Sequence, residues 1–204
     1  MIEIFKSGGM LMYGILLLSI MGTTVIIERF VYFLKNEKEI NNELKAQLEE
    51  AITSKDKELA VSLCESENSS SLKVLKELIL EHDFERKVDI EYLEEKARER
   101  ALIEIPKLEN HMWLLGVVAH VTPLVGLLGT VSGMIAAFRV IAVVGSGKPE
   151  MLADGISQAL ITTAAGLTVA IPALILYNYY NKKIDHVVNE IEKTTVEFIN
   201  SLRK

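Results

Sequence analysis

The sequence predicts an all-α, polytopic membrane protein: three transmembrane helices, with a helical domain between the first two. Three observations lead there. Residues 10–27, 112–144 and 155–180 are long, apolar and almost free of charge, and about 20 such residues cross a bilayer core. Between 32 and 111, apolar residues recur at spacings of three and four, the period of a helix with one buried face. Nowhere does the two-residue alternation of a half-buried strand appear. The bulk numbers agree: 204 residues, 50% apolar, formal net charge -6 and mean hydropathy +0.26 suit a small membrane protein with a sizeable polar part.

Taken in order, residues 1–9 form a short leading segment and 10–31 the first span, closed by Glu28-Arg29. That segment has no basic start and no small-residue cleavage site, so it is not read as a signal peptide. Residues 32–111 form the polar domain, with 13 Lys/Arg against 20 Asp/Glu. The second span is 112–142, longer than a bilayer needs, so part of it is expected to tilt or stand in water. A loop at 143–154 leads to the third span, 155–180, and to a C-terminal helix at 181–204. Arg29, Lys35, Lys38 and Lys45, then Arg98, Arg100 and Lys107, then Lys182 and Lys183 all flank one side of the membrane. Lys6, Lys148 and Arg139 are the few on the other. The excess of cations on the cytoplasmic side places the N-terminus and the 143–154 loop outside, and the polar domain and C-terminus inside.

Within the polar domain, NNELKAQLEEAI, KELAVSLCESE and SLKVLKELILEH each carry a helical stripe, Leu72, Leu75, Leu78 and Ile79 in the third. Ser69-Ser70-Ser71 is expected to start that third helix, a serine hydroxyl capping its free amides. Asp89 to Glu109 predicts a fourth helix, in which Pro106 marks a kink or a break. It should run nearly into span two. The acidic surplus reads as a solvated helical surface. No phosphate-binding glycine loop, nucleophile motif or metal-ligand spacing occurs, so neither an enzyme, nor a resident cofactor, nor a metal site is expected. His82 and Asp83 point different ways on a helix and make no dyad. The lone Cys64 has no disulfide partner and reads as a small, half-buried residue in a reducing compartment. An acidic chain without a basic stripe argues against nucleic acid.

The spans themselves are unusual. TPLVGLLGTVSGMIAAF, residues 122–138, is uncharged yet rich in glycine and hydroxyls. Thr122, Gly126, Gly129, Gly133 and Ala136 or Ala137 lie on one side of a helix, and Gly155, Ala159, Thr163, Gly166 and Ala170 do the same in span three. Small residues let helices approach closely in lipid, where packing rather than hydrophobicity drives association. Gln158, Thr162 and Thr163 need protein or a wet path, because an unpartnered polar group in hydrocarbon is costly. These features point to a helical oligomer or heteromer with a narrow polar passage.

TPLVGLLGTVSGMIAAF followed by GISQALITTAAGLTVAIPALILYNYY resembles the MotA/TolQ/ExbB proton-channel family, nearest to its ExbB/TolQ branch. The resemblance covers the three-span layout, Glu28-Arg29, the large loop and both later spans. It is weaker over 36–100. It implies a homopentamer in the bacterial inner membrane, around two copies of an ExbD/TolR-like single-span partner with a membrane aspartate. Spans two and three would line the pore, and force would pass to a TonB-like or other periplasmic load. Thr130 and Thr163 match the pore threonines, and Ser132, Thr162 and Gln158 are expected to line the ion path with them. Pro123 and Pro172 match the prolines that bend the spans. Gly126, Gly129, Gly133 and Gly166 serve packing, and Glu28 and Arg29 anchor span one at the inner interface and pair with the cytoplasmic helices.

Two departures bear on the ion. Relatives commonly place glutamate where this chain has Gln158, which cannot titrate, so the partner must supply the carrying acid. The Thr162-Thr163 pair also resembles sodium-driven stators, whose extra hydroxyl suits a partly dehydrated cation. A translocated proton is the expectation and sodium the alternative; a non-conducting membrane scaffold is the other. His120 is read as packing, with a proton relay as its alternative. Arg139 is expected to reach headgroups or Asp154. Trp113, Tyr177, Tyr179 and Tyr180 are expected to mark the inner interface.

Overall fold

The computed structural model describes residues 8–38, 40–82, 84, 89–144 and 149–202. The expectations for Lys6, Asp83, Lys148, most of segment 1–9 and the centre of the 143–154 loop fall outside these residues. The described residues form seven α-helices and no strand: α1 Leu11–Asn36, α2 Asn42–Thr53, α3 Lys57–Glu65, α4 Ser70–Glu81, α5 Ile90–Glu109, α6 Met112–Val144 and α7 Pro149–Ser201. Three helical stretches are long and apolar enough to cross a membrane. Helix α1 does not end at Glu28-Arg29 but runs on to Asn36, and α7 carries the third span and the C-terminal helix as one rod. Charge at Lys182 and Lys183 ends the apolar run without ending the helix, since lysine is a good helix former.

The chain divides into two compact units, one of residues 1–28 with 111–179, the other of 29–110 with 180–204. The second unit packs α2, α3, α4 and α5 in sequence. Asn41, Asp56 and Asp89 cap α2, α3 and α5 through side-chain oxygens that accept from Glu43, Leu59 and Tyr92 amides. Leu72, Leu75, Leu78 and Ile79 are all buried, as their spacing requires. Phe33 stacks on Tyr180 with ring centroids 5.7 Å apart, so Tyr180 is core and not part of an interfacial belt. Pro106 lies inside α5 and does not break it as an element. The carbonyl it deprives of a partner belongs to exposed Leu102, where water can satisfy it. The break comes at Asn110–His111, His111 adopting φ 58°.

The start of α4 differs from expectation. Ser69 makes no side-chain capping bond. Glu37 reaches in instead: its carboxylate accepts from the Ser70 amide at 3.2 Å and from the Ser70 hydroxyl at 2.5 Å. A carboxylate at a helix N-terminus gains from the aligned peptide dipoles as well as the bonds. Glu37 is 7% exposed and Glu104 0%, so the acidic surplus is not wholly a solvated surface. Glu104 is ringed by Arg100 at 3.0 Å, Lys107 at 2.9 Å and Lys73 at 3.9 Å. Arg29, 2% exposed, donates to the carbonyls of Lys107 and Leu108 at 3.0 and 3.2 Å and lies over the Tyr32 ring. A cation on the last carbonyls of α5 satisfies acceptors that the helix cannot.

Burial pushes the Glu37 carboxyl above its ordinary 4.5, against the pull of the Ser70 bonds. Just above pH 4.5 the native state therefore keeps a proton that the unfolded chain has released, so Glu37 makes stability fall as pH rises through that window. Melting of the solubilised chain between pH 4.5 and neutrality should show this slope, and Glu37→Gln should remove it. Glu37→Ala leaves the Ser70 donors unmet and should cost about 1–3 kcal/mol, read as faster amide exchange along α4. Cys64 is buried, not half-buried, and desolvation pushes its thiol up to about 12. It should resist thiol reagents at neutral pH until the protein unfolds.

Candidate functional site

In the first unit, α6 and the 149–179 part of α7 run antiparallel through their small residues. A methyl group built on Gly166 would lie 2.8 Å from the Thr122 carbonyl oxygen and 3.2 Å from the Gly126 Cα. One on Gly126 would lie 3.1 Å from the Thr163 Cα, and one on Gly129 would lie 2.6 Å from the Thr162 methyl. Further along, Gly133 abuts Ala159 and the Gly155 carbonyl, and Gly155 abuts Ala137. Backbone or a small side chain meets each glycine, an approach that a larger side chain would prevent. Residue numbers fall along one helix as they rise along the other, so a single register fixes all five positions. Helix α1 joins them through Gly22, which meets Val118.

This register decides where each hydroxyl goes. Thr163 is half-buried, and its hydroxyl donates across the helix pair to the Gly126 carbonyl at 2.8 Å. Thr162 is 1% exposed. Its Oγ1 lies 2.8 Å from its own-helix carbonyl at Gln158 and 2.9 Å from the Gly8 carbonyl. Gln158, half-buried one turn away, brings its amide nitrogen against Gly9. Thr130, half-buried, donates to Leu127 O, and exposed Ser132 donates to Gly129 O, both within α6. Thr162 and Thr163 thus meet the α6 glycines, whereas Thr130 and Ser132 bond only along their own helix. The hydrogens of these four hydroxyls are already committed to carbonyls. What each oxygen can still offer is a lone pair, for a protonated acid, a water or a cation.

Neither Pro123 nor Pro172 interrupts its helix; each strips the amide partner from the carbonyl four residues earlier, at Ala119 and Thr168. His120 is exposed and its Nδ1 lies 2.7 Å from the Gly116 carbonyl, so Nδ1 donates to that carbonyl. Tyr177 meets the His120 ring edge-on at 5.9 Å and packs on Gly116, while Trp113 and Tyr179 are exposed. Glu28 holds His111 Nδ1 at 2.6 Å. Arg139 and Asp154 are both exposed. Gly8 and Gly9 were not among the residues that composition or spacing singled out. The only local signal was the glycine pair standing before the first apolar run.

Gly166→Ala should destabilise the helix pair by about 1–3 kcal/mol, because the added carbon meets backbone that cannot rotate away. Gly14 in α1 has nothing within 4 Å of its added carbon, so Gly14→Ala should be neutral or slightly stabilising. Resistance of the folded chain to SDS denaturation separates the two.

The profile of the MotA/TolQ/ExbB proton channel family matches residues 24–193. Among curated proteins, a biopolymer transport protein described as an ExbB homolog in Methanothermobacter thermautotrophicus is 29% identical over 201 residues, covering 94% of this chain and 66% of the relative. The Tol-Pal system protein TolQ of Haemophilus influenzae is 38% identical over 101 residues, 50% of this chain and 44% of that protein. The biopolymer transport protein ExbB of Xanthomonas campestris is 37% identical over 102 residues, again 50% of this chain and 40% of that protein. The chain therefore spans less than two thirds of the length of each of these relatives.

Proposed function

Because the chain belongs to the MotA/TolQ/ExbB proton channel family, we propose that this multi-pass membrane protein is the ion-channel subunit of an inner-membrane energy-transducing motor. In this reading several copies, five by family resemblance, surround a single-span ExbD/TolR-like partner whose membrane aspartate carries the ion. The N-terminus lies outside, and the 32–111 domain and the C-terminus lie in the cytoplasm. The load is periplasmic, of the TonB or Tol-Pal kind. The chain itself is not an enzyme and holds no cofactor; it handles a translocated proton.

The observation that carries the reading is the Thr163 hydroxyl, bonded to the Gly126 carbonyl between stretches 122–138 and 155–180, which carry no formal charge. With its hydrogen donated, the oxygen can accept from a protonated aspartate or a water, which eases transfer without a titrating group in this chain. Gln158, which cannot ionise, fits that division of labour. The voltage alone supplies about 2.3 kcal/mol per charge per 100 mV, enough to bias each transfer.

The test is proton uptake into liposomes that hold the protein with its single-span partner, under a potassium diffusion potential, with and without sodium. Thr163→Val keeps shape and loses the oxygen; it should cut uptake about tenfold or more, a loss of about 1.4 kcal/mol in the transfer barrier. Thr163→Ser should retain most of it. Uptake that requires sodium would move the assignment to a sodium-driven stator. Undiminished uptake in Thr163→Val would remove Thr163 from the path, and no uptake by the assembled complex would favour a scaffold.

A further inference from the structure

Gly8 and Gly9 form a turn whose contacts are not explained by starting α1 alone. The Gly9 carbonyl accepts from the Met12 amide at 3.2 Å, which opens α1. Gly9 has φ 73°, a left-handed conformation that favours glycine. A Cβ there would also run into the Gln158 amide. Gly8 is buried, and its carbonyl lies 2.9 Å from Thr162 Oγ1, 154 positions away in sequence. The single Thr162 hydrogen thus sits between two carbonyls, Gly8 and Gln158, and the hydroxyl is enclosed at 1% exposure. Thr162 packs on Gly129 of α6 and meets the Gly8 carbonyl, while Gln158, one turn away on α7, meets Gly9.

We infer that the Gly8–Gly9 turn is a seal on the Gln158–Thr162 edge of α7, and that Thr162 is its fastening point rather than an ion ligand. The inference rests on the channel reading and deepens it. A threonine pair could offer two oxygens to a cation, but here one of the two is enclosed between Gly129 of α6 and the Gly8 carbonyl. Thr163 is left as the α7 hydroxyl for the ion, and the turn holds water off its neighbour. Gly9 and Thr162 are positioning residues on this account, so their loss has one shared consequence: a leak.

Two measurements test it, both on the full chain. In a Cys64→Ser background, Thr162→Cys should be protected from a charged, membrane-impermeant maleimide. Adding Gly9→Ala should speed labelling about tenfold by loosening the turn, and adding Gly14→Ala should not. Equal labelling with glycine or alanine at position 9 would overturn the seal whether or not the protein conducts. In liposomes with the partner, Gly9→Ala and Thr162→Val should both raise the passive proton leak, while Thr162→Ser, which keeps the hydroxyl, should restore the wild-type value. Loss of flux in Thr162→Val alongside wild-type behaviour in Gly9→Ala would make Thr162 a ligand and sink the proposal. A wild-type complex that carries no ion would defeat the channel reading, with the labelling result still deciding whether the turn covers Thr162.

Discussion

The close approach of α6 and α7 is the constraint on which the first unit depends. Van der Waals contact between backbones, and not burial from water, holds two spans together when lipid is as apolar as leucine. That contact depends on Gly126, Gly133, Gly155 and Gly166 lacking a Cβ where the partner backbone passes, and on Gly129 lacking one where the Thr162 side chain sits. The same approach brings Thr163 within hydrogen-bonding reach of the Gly126 carbonyl. Wider helices would leave that hydroxyl to bond back along α7, as Thr168 does to Ala164 O, and the pair would present no shared polar edge. Packing and polarity are thus one feature: the residues that permit the contact also place the oxygen.

A different constraint governs the second unit, where charge has to be buried without being stranded. Glu37, Glu104 and Arg29 are taken out of water, and each is met by hydrogen-bonding or oppositely charged groups. Glu37 takes the free donors at the start of α4, and Arg29 takes the last carbonyls of α5. Buried polar groups of this kind fix which helix ends go together more strictly than apolar contacts do, because a wrong pairing leaves a charge unmet.

Much of this was legible in the sequence, for reasons specific to each element. The spans follow from charge-free length, and the glycine edges from small residues at spacings of three and four, which survive in one dimension as a pattern. The helices of the 32–111 domain came from the same periodicity, whereas their caps at Asn41, Asp56 and Asp89 were not singled out. What local reading missed was non-local. Three serines in a row resemble a self-capping start, but a carboxylate 33 residues away outcompetes them, since an ionised acceptor bonds more strongly than a hydroxyl. The third span at 155–180 and the C-terminal helix at 181–204 read as separate segments, although charge reports where lipid stops and not where hydrogen bonding stops. Thr162 and Thr163 are adjacent, so spacing could not tell that one would be enclosed by Gly8 and the other would cross to Gly126.

The register of α6 against α7 is open to direct measurement in native membranes. Ala137→Cys and Gly155→Cys, in a Cys64→Ser background, place two thiols where Cβ atoms are in contact, closer than the usual disulfide spacing but within a small adjustment of it. Mild oxidation should form a disulfide within one chain, detected after proteolysis between the helices, and without needing any partner. Disulfides formed exclusively between chains, or none while both thiols remain reactive, would contradict the packing from which the polar edge follows.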